Sequence, residues 1–247
     1  QALPFKKECF LMSELTAHAP RTRSSTEALR RLVCMAMLCA VAYVVMYLSK
    51  TVFAPLTVAG LLTFDLKDVI IAIGGFLFGP ISAFIISAVV SLIEMVTVSD
   101  TGPVGLLMNV LSTIAFVCPA AFLYYRRRSL SAAVVGLIVG GVLMTAIMLL
   151  WNYLITPLYM NVEREVVATM LPTVFLPFNV VKAAMNGALT IVIYKPVSKA
   201  LRAARLAPAV PAPETMAVKK SKAGITIVAV IVLATAVLLA LVLADKI

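Results

Sequence analysis

Five short passages place polar side chains inside apolar surroundings, and their types suit the capture of a solute better than catalysis. In "FLPFNVVKAAMNGA", Asn179, Lys182 and Asn186 recur at i, i+3 and i+7, offsets that put all three on one face of a helix. In "LLWNYLITPLY", Asn152 stands between Trp151 and Tyr153. Asn109 lies in "TGPVGLLMNVL" and Glu94 in "SLIEMV". The fifth passage, "LTFDLKDVIIAIGGFLFGP", sets Asp65, Lys67 and Asp68 against an apolar run too short to cross a bilayer comfortably, and the run breaks at Gly79-Pro80. Ionisable groups inside a membrane are costly and usually functional. One ammonium and several amides suit a neutral, planar, hydrogen-bonding ligand better than an ion.

Most of these residues also admit a plainer role. Asn109 and Asn186 can join neighbouring helices by hydrogen bonds. Trp151 and Tyr153 can be ordinary interfacial aromatics. Asp65 and Asp68 can cap the short helix that follows them, and Glu94 can be solvated at the membrane surface. Lys182 is hardest to explain this way. It lies roughly two turns inside its helix, too deep for easy snorkelling, and has no acidic partner in its own helix. Enzyme chemistry has little to work with. The single histidine, His18, lies in the polar N-terminal tail, and no HExxH or GxxxxGK[ST] pattern occurs. Cys9, Cys34, Cys39 and Cys118 show no metal or redox spacing, and three of them fall in apolar segments, where a thiol packs as a small hydrophobe. No catalytic residue, metal site or cofactor is expected.

The elements that must position these residues are membrane helices. The chain has 247 residues, of which 62% are hydrophobic, and a mean hydropathy of +1.06. Several windows of about 20 residues are nearly free of charge, the length that spans a hydrocarbon core. The apolar windows predict spans at 32–48, 80–98, 103–125, 130–156 and 175–195, a short helix at 68–78, and a seventh helix within 223–244. The opening residues, polar to about Arg31, lack the apolar core and cleavage site of a signal peptide. The predicted organisation is a tail at 1–31, a membrane domain at 32–204, an Ala/Pro/Lys linker at 205–222 and a further transmembrane helix at 223–247. Sixteen of the 21 Lys and Arg residues precede the first span, separate the fourth and fifth, or separate the sixth and seventh. This asymmetry predicts a cytoplasmic N-terminus in the plasma membrane, with loops 49–67 and 157–174 facing outward. It also accounts for the net charge of +10 without nucleic acid, helped by anionic lipid headgroups.

Four motifs in unbroken order, "FDLKDVIIAIGGFLFGP", "TGPVG" followed by "MN", "MLLWNYLITPLY", and "LPFN" followed by Lys182, Asn186 and "YKP", resemble the riboflavin-binding S component (RibU family) of ECF-type vitamin transporters. The resemblance covers about residues 30–202. It implies an all-α, six-helix bundle, so the seventh helix is an addition. It also implies a loop after the first helix that folds over the substrate. The family's flavin-binding Asn and Asn-x-x-Lys fall on Asn152, Asn179 and Lys182. The pyrimidine edge of a flavin offers carbonyl acceptors flanking an N–H donor, which an amide and an ammonium can match. Phe64, Met148 and Trp151 can wall the dimethylbenzene end, and Asp65 and Asn109 lie where the lid and the polar ribityl chain would meet. The resemblance further implies energy from partners, a transmembrane coupling subunit and two cytoplasmic ATPases. Ala36 and Ala40 match a small-xxx-small stripe that docks the coupling subunit; the same pair can instead pack within the bundle. Two positions depart from the family: Val90-Ser91 replaces a Lys-Asn pair, and Gly105-Leu106 replaces a Gly-Glu.

Rival readings are an S component for another vitamin or flavin analogue, a stand-alone secondary transporter and an intramembrane enzyme. A secondary transporter would usually show an internal repeat, and none is visible.

Overall fold

A computed structural model describes residues 25–58, 62–99, 101–204, 229–237 and 241. The tail residues Cys9 and His18, and the linker 205–222, lie outside the described residues. The described chain is helical, and its one pairing outside helices is an isolated antiparallel bridge between Val58 and Leu62. The elements are α1 (Ser25–Phe53), a short 3-10 turn (Ala54–Leu56), α2 (Lys67–Phe78), α3 (Pro80–Thr97), α4 (Gly102–Arg127), α5 (Leu130–Met160), α6 (Arg164–Met170), a π turn (Leu171–Phe175) and α7 (Leu176–Ala203). Among the described residues, five segments are long and apolar enough to cross a membrane, and α6, the π turn and α7 together make the last of them.

The helix α2 is the hub of the fold. Its 12 residues are all buried and rise only about 18 Å, well short of a bilayer core. Beyond Lys67 and Asp68 in its first turn the helix is apolar on every side, so it must be enclosed by others, and α1, α3, α4 and α7 surround it. Its glycines permit the close approach. A Cβ on Gly74 would stand 2.7 Å from the Ile86 side chain of α3, and one on Gly75 would stand 2.9 Å from the Ala121 side chain of α4. The helix ends at Gly79, whose φ of 95° only glycine adopts easily. Pro80 then opens α3 as its first residue.

At this same end Arg31 of α1 donates to the Phe78 carbonyl (3.3 Å) and to Ser82 Oγ (2.6 Å). Close by in the fold, Phe76 stacks with Tyr124 and Tyr194, whose hydroxyls hydrogen-bond each other. The helix α1 buries Cys34, Leu38, Ala42 and Met46 against this core. Its other face, with Val33, Met37, Val41 and Val44, is exposed, as lipid contact requires. Ala36 and Ala40 lie on the exposed side too, so among the described residues they pack against nothing in the bundle.

Several predicted boundaries change, and the last span runs on to Ala203 rather than 195. The first span is Ser25–Phe53 rather than 32–48, because the helix continues past its apolar window into the good helix formers Glu27, Ala28, Leu29 and Arg30. The predicted loop 157–174 is mostly helix. Pro157 lies within α5. Pro172 falls in the π turn, where the Leu176 N–H reaches back five residues to the Leu171 carbonyl. Prolines 172 and 177 have no N–H to donate, and the wider turn carries the helix past them. The irregular connection shrinks to residues 161–163. Of the predicted seventh span, residues 229–237 are helical. Leu233 and Ala236 pack on a cluster that includes Val181 and Met185 of α7.

Candidate substrate-binding site

Within the described residues, a cavity of about 370 Å³ opens at the end of the bundle that carries loop 57–66. Elements meet there in a consistent sense: the C-terminal ends of α1, α3 and α5, and the N-terminal parts of α4 and α7. Each contributes wall. The first helix gives Lys50, the loop gives Thr57, Thr63 and Asp65, and the turn before α4 gives Ser99 and Thr101. Asn109 comes from α4, Trp151, Asn152 and Thr156 from α5, and Phe178 and Lys182 from α7.

The sequence-predicted residues separate into two layers. Asp65, Asn109, Trp151, Asn152 and Lys182 line the cavity. Phe64 and Asn179 are buried but do not reach its wall. Phe64 stacks on Phe178 at 4.7 Å and meets Phe53 edge-on at 6.3 Å, fastening the loop to α1 and α7. Asn179 donates to the Phe175 carbonyl at the π turn (2.8 Å). Met148 likewise packs in the core. On the wall, Asn152 donates to the Met148 carbonyl (2.8 Å) and accepts from Thr156 (3.1 Å). Its amide oxygen retains a second lone pair. Tyr153 points away, beneath the Arg164 guanidinium at 5.6 Å, as an interfacial aromatic does.

Beneath the cavity runs a chain of ion pairs that sequence reasoning missed. Lys50 meets Glu94 at 2.5 Å, Glu94 meets Lys67 at 2.8 Å, Lys67 meets Asp65 at 3.2 Å, and Asp65 meets Lys182 at 3.3 Å. Lys182 therefore has an acidic partner, 117 residues away in sequence. Glu94, far from being solvated, is completely buried. Nor do the aspartates cap α2, whose first turn makes no side-chain cap bond. Asp68 instead accepts from Thr113 of α4 (2.6 Å). Burial opposes the ionisation of Asp65, but the Lys182 and Lys67 ammonium groups outweigh it and hold the carboxyl below the usual carboxylate range. Asn186 fixes the same point through the backbone, donating to the carbonyls of Asp65 and Lys182 at 3.1 Å each. Three lysines alternate with two carboxylates along this chain, and that pairing is what lets its charges stay buried.

The family model for ECF transporter, substrate-specific component, matches residues 30–198. The chain belongs to this family. Its members are substrate-binding subunits of ECF importers rather than enzymes, and the chain accordingly works with an ECF module in the membrane. It is 28% identical over 189 residues to the riboflavin transporter RibU of Staphylococcus aureus (strain TCH60), covering 74% of this chain and 97% of that one. It is 28% identical over 162 residues to the riboflavin transporter FmnP of Bacillus subtilis (strain 168), covering 62% of this chain and 84% of that one. A solved structure of the S component of a bacterial ECF transporter superposes with a TM-score of 0.59 at 25% identity, over 71% of this chain and 99% of that one. The all-α S-component bundle expected from the sequence is thus the observed fold.

Proposed function

We propose that this S component captures riboflavin from outside the cell and hands it to an energy-coupling module made of a transmembrane coupling subunit and two cytoplasmic ATPases. The observation that carries the reading is the cavity that gathers Lys182, Asn152 and Trp151 at one end of the bundle. Its volume falls in the range of small-molecule pockets. Lys182 gives a charge-assisted bond to a ring carbonyl, Asn152 offers its amide to the same edge, and Trp151 covers an aromatic face. Asn109 and the hydroxyls of Thr57, Thr63, Ser99 and Thr101 receive the ribityl chain near the mouth. Phe64 and Asn179 act from behind the wall, holding the loop and the π turn in place. Two riboflavin transporters among the relatives support the same ligand. Residues 32–204 form the binding unit.

Protein purified in detergent should carry the absorbance bands of a flavin, or gain them with saturable binding on titration with riboflavin. A different vitamin extracted from the protein, with no riboflavin binding, would assign the cavity to that vitamin instead.

The N-terminus is cytoplasmic and the cavity opens outward. Arg31, Arg126, Arg127 and Arg128 mark the end of the bundle opposite the cavity, the arrangement the positive-inside rule assigns to the cytoplasm. In a background lacking the native cysteines, an impermeant thiol reagent applied to whole cells should label Thr57→Cys and spare Ser129→Cys. The reverse pattern would invert the topology.

A further inference from the structure

We propose that Asp65 selects for an N–H group on the bound ring: its Oδ1 accepts a hydrogen bond from the imide N–H of the flavin while Lys182 donates to the adjacent carbonyl. The inference rests on the riboflavin reading and adds to it the residue that distinguishes an N–H from its substituted forms.

Three observations lead there. Asp65 lines the cavity and is 3% exposed, yet only one of its carboxylate oxygens is occupied. Oδ2 takes both ammonium groups, Lys67 at 3.2 Å and Lys182 at 3.3 Å. Oδ1 is buried and has no partner. A buried carboxylate oxygen left empty is costly, and such atoms are rare in folded proteins. Here the unused acceptor belongs to a residue of the cavity wall and sits beside an ammonium donor of the same wall. An acceptor next to a donor is the complement of an N–H next to a carbonyl, the edge a flavin pyrimidine ring presents.

The surroundings hold Asp65 in this role. Asn186 pins its carbonyl at 3.1 Å. Lys67 is shared with Glu94 at 2.8 Å, and Glu94 is bound in turn by Lys50 at 2.5 Å. These contacts keep Oδ2 facing the two lysines and leave Oδ1 the carboxylate oxygen without a protein partner. A site built to accept from a ligand N–H rejects an analogue lacking it far more strongly than apolar contact alone can.

The test is a comparison of riboflavin with N3-methylriboflavin on purified wild type, Asp65→Asn and Asp65→Ala, each shown to be folded by size exclusion. Wild type should bind the methylated flavin at least about tenfold more weakly. In Asp65→Asn the amide oxygen must face the two ammonium groups, which turns its NH2 toward the ligand N–H, donor against donor. Riboflavin should therefore weaken selectively, and the two flavins should come within about threefold of each other. Asparagine has the size of aspartate, so a purely steric penalty on the methyl group would survive the substitution. A ratio unchanged from wild type in Asp65→Asn overturns the proposal. Equal loss of both flavins in the folded variants overturns it too, and makes Asp65 a structural residue. Asp65→Ala should collapse the ratio in the same way. A wild type that binds neither flavin removes the riboflavin reading itself, a result distinct from an unchanged ratio.

Discussion

Lys182→Ala is expected to weaken riboflavin binding about tenfold or more while the protein stays folded. The ammonium stands on the wall of the cavity, 3.3 Å from Asp65 Oδ2. A ring carbonyl brought there without a donor is desolvated and unmatched, which costs about 1–3 kcal/mol, and 1.4 kcal/mol is a factor of about ten in the dissociation constant. Folding survives because Asp65 keeps Lys67 as its counter-ion at 3.2 Å. Lys182→Met separates charge from bulk. It fills the space of the lysine stem and should bind as poorly as the alanine variant, since the donor and not the stem makes the contact. Asn179→Ala should cost less than Lys182→Ala. Its amide is turned to the Phe175 carbonyl behind the wall, so its loss loosens the π turn rather than emptying a ligand contact. Equilibrium titration of riboflavin, followed by flavin fluorescence, gives all three constants. Wild-type affinity in Lys182→Ala would remove this residue from the site.

The parts of this molecule that the sequence reveals are those governed by local pattern. The half-length α2 is legible within one residue, because an apolar run of ten residues, 69–78, bounded by charge on one side and Gly79-Pro80 on the other allows little else. The shared face of Asn179, Lys182 and Asn186 followed from helical spacing alone. What the sequence concealed depends on contacts between distant segments. Lys182 seemed unpaired because its partner Asp65 lies in a loop 117 residues earlier. Glu94 and Lys50 are 44 residues apart, and nothing in either neighbourhood signals the other. Periodicity places a side chain on a face but does not say which face of which helix it meets. The same limit explains Phe64 and Asn179. Burial was foreseeable for both, whereas their position one layer behind the cavity wall depends on how the loop and the π turn pack. The 157–174 region misled for a different reason: its prolines are helix breakers by propensity, and a widened turn accommodates one of them inside a continuous span.

Placing tryptophan at Ala36 or Ala40 is expected to abolish uptake while leaving riboflavin affinity at its wild-type value. Both alanines lie on the exposed face of α1, opposite the buried row of Cys34, Leu38, Ala42 and Met46. Within the bundle they therefore have no partner to disturb, and a tryptophan there meets lipid in the isolated protein. The contribution of α1 to the cavity is Lys50, ten residues beyond Ala40 and so about 15 Å further along the helix. Binding has no reason to respond. Transport does, if this stripe is where the coupling subunit docks. Small residues let two helices approach closely, and a large side chain at such a contact forces the backbones apart. Two measurements settle it: riboflavin affinity of each purified variant, and accumulation of labelled riboflavin by cells that carry the coupling subunit and both ATPases. Normal affinity with lost uptake assigns the stripe to docking. Normal uptake in both variants would mean that the coupling subunit meets another face. The exposed row of Val33, Met37, Val41 and Val44, on the same side of α1, would then be the next to substitute.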